Sequence, residues 1–419
     1  MQPLRLGFVG AGFIAKFQAQ ALAQIRGVEV AGVTSRTRIH AEEVARLSHD
    51  LGVGSPVVYD SITAMAPHVD VLAIYAPNYL RVAMVEEIVA AVQAGVTLQG
   101  VICEKPLART VAEARRLVEL AESVNLKTAY FENQLFMKPL AAQMAQLAPQ
   151  QRSMGPLTLV RSAEEHGGPH EPWFWDPTRQ GGGVLSDMGC HSIAVGWYAL
   201  TPLGESPTFL QPVSVSAEVA LLKWGQPVWR QRLLDRFGVD YAKTPAEDFT
   251  TGVISYRHPA TGQLVKAQFT NSWMFEKQGL RLLIDGMGPG YAFEINTLAS
   301  STQIFVGDAA AEAVANAAPK GPPAIEKATA SRGLLTVHHN EADLYGYPDE
   351  NADAAAAFRA RRDGFLSWRY GLEVVKLVTA AYMAAEQRRT IDLTDPAVQT
   401  ALESYVPLIQ QGRGAEVLF

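Results

Sequence analysis

Two short stretches of this chain carry residues suited to proton chemistry. In CEKPLA (103–108), Lys105 follows an apolar run and precedes a proline. In GGGVLSDMGCHSI (181–193), Asp187 and His191 stand four positions apart behind three glycines. An ammonium beside a reacting hydroxyl stabilises the developing alkoxide. An imidazole that titrates near neutrality can take the hydroxyl proton, and a neighbouring carboxylate can orient the ring and stabilise its cation. From CEKPLA alone, a surface ion pair between Glu104 and Lys105 is an equal reading. For the second stretch, a helix capped by Ser186 or Asp187 with an incidental histidine competes. A metal site fits less well. It needs three or four ligands, and Cys190, next to His191, would point about 100° away around a helix. No metal is expected.

Hydride chemistry requires a cofactor, and the N-terminus offers a place for one. GFVGAGFIA (7–15) contains Gly10-x-Gly12-x-x-Ala15 after an apolar run and before a helical pattern. Gly10 suits a tight turn, Gly12 lets backbone approach a pyrophosphate, and the helix opened by Phe13 and Ile14 supplies amide donors. The similar Gly286-x-Gly288-x-Gly290 lies between two strand-like runs and reads as a hairpin turn. About 20 residues after the glycines, NAD sites offer an acid to the ribose hydroxyls. Here the sequence is Thr34-Ser35-Arg36-Thr37-Arg38. Ser35, Arg36 and Arg38 suit a 2′-phosphate, because guanidinium groups make forked, charge-assisted bonds. NADP is therefore favoured over NAD.

These residues need a scaffold. Strand-like runs at 4–10, 28–35, 69–76, 100–106 and 127–133 alternate with helical patterns at 14–25, 41–51, 82–95 and 110–125. That alternation predicts a doubly wound parallel α/β sheet over residues 1–138. Thr110 and Glu113 have the capping-box spacing. From 139 to 419 the texture is that of an α+β domain. Longer alternating strands at 157–165, 213–222, 250–257, 264–273, 279–286 and 291–296 predict a large, open, mostly antiparallel sheet. Residues 308–333, rich in Ala and Pro, read as an exposed loop. One helix is expected over 352–389, packing back towards the first domain.

Composition sets limits. The 419 residues suffice for two sizeable cores, 48% are apolar, and the net charge is −6. Such a charge offers nothing to nucleic acid or an anionic membrane. No apolar run reaches the ~18 residues of a membrane span. Cys103 and Cys190 do not make a disulfide framework, so a cytoplasmic setting is expected.

Taken together, GFVGAGFIA, APNYLR (76–81), CEKPLA, GGGVLSDMGCH and GFLSWRYGLEVVKLVTAAYMAAEQRRTIDL (364–393) resemble the glucose–fructose oxidoreductase/inositol dehydrogenase/rhizopine-catabolism (Gfo/Idh/MocA) family. The resemblance implies a Rossmann domain followed by an open-sheet domain that often forms a homo-oligomer interface, here a dimer or tetramer. It implies a Lys/Asp/His set, falling on Lys105, Asp187 and His191. The activity implied is hydride transfer between NAD(P) and a carbinol carbon of a carbohydrate or cyclitol. Redox-assisted glycoside cleavage and a non-catalytic nucleotide sensor are alternatives. Pro77, Asn78, Glu104 and Asn133 join the expected cofactor contacts. Glu165, His166, Trp173 and Trp175, in the run leading to the glycines, are the expected substrate contacts. The chain departs from the family pattern at Arg81, where a histidine is usual.

Overall fold

The structure, a computed structural model, describes residues 2–276, 279–299, 303–306, 333–336 and 341–419. The expected loop at 308–333 lies outside these, apart from Gly333. The chain forms two compact units. The first comprises residues to 141, with 342–379 and 400–406. The second comprises 142–341, 380–399 and 407–419.

In the first unit, β1 (Leu4–Val9), β2 (Val28–Thr34), β3 (Val57–Tyr59), β4 (Val71–Ile74), β5 (Gly100–Glu104) and β6 (Thr128–Phe131) form one sheet in the order β3-β2-β1-β4-β5-β6. Every pairing is parallel. β4 and β5 are buried throughout, as central strands covered on both faces must be. β3 escapes sequence reading. It has three residues and a partly exposed side, so it leaves neither an apolar run nor a period. The sheet order reverses at β1 and β4, and doubly wound folds bind ligands at the carboxyl ends of strands at that point.

Ala354 and Phe358, far along the chain, enter the core of this unit with Leu6, Phe8, Val30 and Ala73. They belong to the helix Tyr347–Arg359, and a second helix runs Trp368–Gln387. The single helix expected over 352–389 is thus two. The break carries Arg361 in the left-handed conformation (φ +57°), and the Phe365 amide donates to Asp353 Oδ2 at 2.7 Å. The apolar pattern runs on through the break and conceals it.

The second unit contains β7 (Leu159–Glu165), β8 (Gln211–Ala220), β9 (Phe249–Arg257), β10 (Leu264–Ser272), β11 (Arg281–Gly288), β12 (Tyr291–Asn296), the separate antiparallel pair β13 (Gln303–Val306) and β14 (Gly333–Thr336), and β15 (Ile391–Asp392). The large sheet has the order β12-β11-β7-β10-β9-β8-β15. Only β7 and β10 pair in parallel in it; its other pairings are antiparallel. Gly286 and Gly288 lie in β11, paired with Phe293 and Tyr291 of β12, so only the end of the second glycine cluster, at Gly290 (φ +78°), is the hairpin turn. The helix Cys190–Leu200 covers one face. Ser162 Oγ donates to the Ser192 carbonyl at 2.6 Å, and Gly196 lies against Ala267. The opposite face exposes Arg161, Lys266 and Gln268.

Candidate functional site

The nucleotide motif has the shape its glycines require. Gly10 takes φ +103°, and a methyl there would overlap the backbone of Tyr75 and Ala76. A methyl on Gly12 meets no atom within 4 Å. No side chain caps the helix Phe13–Leu22, and a helix N-terminus of this kind suits an anion. Ala15 is fully buried, Ile14 packs on the core, and Phe13 stacks on Phe17 with centroids 5.9 Å apart. A dinucleotide pyrophosphate fits this cradle. At the end of β2, Ser35 is half-buried and Arg36 exposed. Arg38 bonds Glu42 at 3.1 Å and Asp60 at 2.8 Å, both in exposed ion pairs. Asn78 is buried at the start of the turn Asn78–Leu80, just after Pro77. Asn133 Nδ2 donates to the Tyr345 carbonyl at 2.8 Å, which gives that amide a structural use within its own unit.

Lys105 is half-buried at the end of β5. Glu104 is buried, accepts from Gln18 Nε2 at 2.8 Å, and meets the Lys105 backbone amide at 3.3 Å. Gln18 also reaches Glu350 Oε1 at 3.1 Å. Burial, with Glu104 and Glu132 nearby, pushes the Glu350 carboxyl well above the usual range. The loop itself is gathered by Arg81. Its guanidinium, 3% exposed, donates to the carbonyls of Glu104 and Pro106, to Leu107 O at 3.3 Å and to Lys105 O at 3.4 Å. Its Nε donates to Ala76 O at 3.3 Å. The departure from the family pattern at position 81 is therefore a clamp on the lysine loop. Cys103 lies inert beneath it, its thiol pushed up to about 11 by burial.

The segment 181–191 is a helix start with an unusual first turn. Leu185–Gly189 winds as a π-helix and continues into the helix Cys190–Leu200. Such wide turns recur at functional sites. The helix has begun before Asp187, so Asp187 and His191 occupy one side of it. Both are buried. Asp187 and Ser186 are not its cap. The carboxyl of Glu247 accepts from the amides of Gly183 (2.9 Å) and Leu185 (3.1 Å). The Glu247 carbonyl takes the Val184 amide at 3.1 Å. The Tyr382 hydroxyl accepts from Gly183 and Ser186, each at 3.2 Å, and donates to Glu247 Oε1 at 2.6 Å. The glycines serve this packing. Gly182 has φ +151°, and a methyl on it would overlap the Tyr382 hydroxyl. One on Gly183 would overlap the Glu247 carbonyl. Burial pushes the Glu247 carboxyl up to about 7 despite these bonds, and Tyr382 is held well above its ordinary value by burial and by Glu247.

Of the expected substrate contacts, Glu165 and Trp175 are engaged by other residues of their own unit. Side chains alternate along β7, so Ser162, Glu164 and His166 are buried on the helix-covered face while Glu165 lies on the other. There Glu165 pairs with Arg281 at 2.8 Å and accepts from Ser272 Oγ at 3.3 Å. The carboxylate on the face of His191's helix is Glu164. Trp175, 1% exposed, is core. It packs among Trp224, Trp273, Tyr241 and Phe237, and its indole donates to Pro169 O at 3.3 Å. His166 is buried and its Nδ1 accepts from the Gly168 amide at 2.9 Å. Trp173 is half-buried against Phe174. Glu247 and Tyr382 escape sequence reading altogether. Their only signals are a carboxylate pair (AED, 246–248) leading into a strand and a phenol inside an apolar helix. No group of residues able to hold a metal occurs among the described residues, and no described helix is long and apolar enough to cross a membrane.

A parallel six-stranded sheet in this order, with an open pyrophosphate cradle, joined in one chain to a mixed sheet, defines a dinucleotide-binding oxidoreductase fold. Two family profiles match. One, described as "Oxidoreductase family, NAD-binding Rossmann fold", covers residues 4–131, and the "GFO/IDH/MocA C-terminal domain" covers 143–287. The chain belongs to the Gfo/Idh/MocA family. It is 29% identical over 205 residues to D-glucoside 3-dehydrogenase of Escherichia coli, across 47% of this chain and 54% of that protein. The match thus spans about half the length of that curated relative. The fold is shared with GenD2 from gentamicin A biosynthesis, solved in complex with NAD (TM-score 0.70, 19% identity, 94% of this chain and 97% of that one). It is also shared with a myo-inositol dehydrogenase from Corynebacterium glutamicum (TM-score 0.66, 18% identity, 94% and 99%).

Proposed function

We propose that this chain is an NAD(P)-dependent dehydrogenase acting on a carbinol carbon of a sugar, sugar derivative or cyclitol. The observation that carries the reading is that both chemistry-bearing segments are rigidly built. The Lys105 loop and the Asp187/His191 turn are each fixed within their own unit by buried polar side chains, and the first unit also carries a helix start shaped for a pyrophosphate. The nicotinamide, when bound, supplies the hydride acceptor. Lys105 donates to the reacting hydroxyl and stabilises the alkoxide. His191 takes the hydroxyl proton, and Asp187 orients the ring and stabilises its cation. The substrate class follows the glucoside and inositol dehydrogenases that this chain resembles. For the cofactor we favour NADP. No carboxylate stands in residues 34–38, and Arg36 is exposed with no salt bridge among the described residues. The ion pairs of Arg38 are exposed, and such pairs are weak enough to be exchanged for a phosphate.

The test is a panel of aldoses, inositols and aryl glycosides, each paired with NAD⁺ and NADP⁺ separately, following nicotinamide absorbance and aglycone release together. Reduction of cofactor in step with a sugar or cyclitol is expected, faster with NADP⁺. Aglycone release without net reduction overturns the dehydrogenase reading. In the same assay His191→Ala should lose roughly 10²- to 10⁴-fold in turnover while binding the cofactor as the wild type does. Unchanged turnover removes His191 from the chemistry.

A further inference from the structure

The first four amides of a helix have no partner inside it, and a short polar residue at the start normally supplies one. At 184 no local side chain does so. The amides of Gly183, Val184, Leu185 and Ser186 are instead all taken by two residues remote in sequence, Glu247 and Tyr382. Glu247 precedes β9, and Tyr382 lies in the helix Trp368–Gln387. Both are fully buried, and neither is placed near Asp187 or His191 by sequence. We propose that Glu247 and Tyr382 are positioning residues for the dehydrogenase reaction, a remote cap that fixes the turn from which Asp187 and His191 project. The proposal rests on the reading of those two as the proton-handling pair.

The arrangement does two things that a local cap would not. It satisfies the opening amides without drawing on Asp187, whose carboxylate would otherwise be the natural cap for this turn. It also ties the turn to two other elements, so the wide winding at 185–189 has fixed supports on its N-terminal side. Gly182 and Gly183 are the cost of that contact, since a side chain at either would collide with the cap. Glu247 Oε1 receives three bonds and its Oε2 finds no partner among the described residues. Tyr382 is the part that touches the turn nearest Asp187, through the Ser186 amide.

Tyr382→Phe removes one oxygen and keeps the ring, which makes it the sharpest variant. Displacements of about 1 Å at a catalytic group cost on the order of 10²-fold. Tyr382→Phe should therefore lower kcat by roughly 10- to 100-fold with the cofactor dissociation constant essentially unchanged. Glu247→Gln, which keeps the accepting oxygen, should recover activity that Glu247→Leu loses. Histidine resonances of the full-length protein supply a readout independent of turnover. The chain has nine histidines, and the peak absent from His191→Ala is that of His191. Tyr382→Phe should move that peak and leave those of His40 and His68 in place. An unmoved His191 peak, or wild-type kcat in Tyr382→Phe while His191→Ala is inactive, overturns the proposal. Wild-type turnover in His191→Ala overturns the reading beneath it, and positioning is then judged on the His191 peak alone.

Discussion

The loop that carries Lys105 turns its carbonyl oxygens inward, and a cation gathers them. The turn that carries Asp187 turns its amide hydrogens inward, and a carboxyl with a phenol gathers those. Arg81 bonds four successive residues, 104–107, through their carbonyls. Glu247 and Tyr382 hold four successive residues, 183–186, through their amides. Each is the polarity its segment demands, because a strand end offers acceptors where a helix start offers donors. The two differ in kind as well as sign. A guanidinium keeps its charge at any ordinary pH, whereas the Glu247 carboxyl changes charge near neutrality. One support is insensitive to pH, and the other is not.

The largest effect should come from removing the cation. Arg81→Met fills the same space but leaves buried carbonyls without donors, at ~1–3 kcal/mol for each group left unsatisfied. A loss of about 4 kcal/mol is expected by urea unfolding. Arg81→Lys should restore only part of it, since an ammonium cannot span four carbonyls as a planar fork does. Full stability in Arg81→Met would mean that the loop holds itself.

The second effect separates the two supports by pH. In the unfolded chain a glutamate titrates near about 4.3, and in the folded chain Glu247 titrates at about 7. Between these values the folded state binds more protons, so stability falls as pH rises. Below this window the proton is on in both states, and above it the penalty is constant. Measured against Glu247→Gln, which cannot titrate, wild-type stability should fall by about 2.5 kcal/mol between pH 5 and pH 8. Denaturant unfolding at the two values reads it. A gap that does not change with pH would show a carboxylate ionised throughout, and the two supports would then differ only in sign.

Much of this site was legible because its signals are local. Gly10 and Gly12 lie next to the strand and helix that need them, and the alternation of runs predicts the parallel sheet. Parity along β7 was legible in principle, yet a polar run does not declare which of Glu164 and Glu165 faces the helix. The burial of Trp175 depends on Trp224, Trp273 and Tyr241, which come from three later segments. Remote partners explain the glycines too. The run of three glycines does not say what lies against it, whereas the structure puts Tyr382 against Gly182 and Glu247 against Gly183. No period or spacing in the sequence links residue 183 to 247 or 382.

The smallest effect tests this contrast between near and distant capping. Thr110 is a cap that the sequence announces, and its Oγ1 accepts from the Glu113 amide at 3.2 Å. The return half of the capping box is diverted, since the Glu113 carboxylate takes the Arg109 amide at 3.1 Å. Ser186, which sequence also offers as a cap, makes only a 3.4 Å bond from its hydroxyl to the Gln180 carbonyl. Thr110→Ala should therefore cost about 1 kcal/mol. Ser186→Ala should cost less than about half of that, because the amides it would have served are already held by Glu247 and Tyr382. Thermal unfolding of the pair in parallel distinguishes them. If Ser186→Ala is the more damaging, the helix relies on its own residue after all, and the remote pair is packing rather than cap.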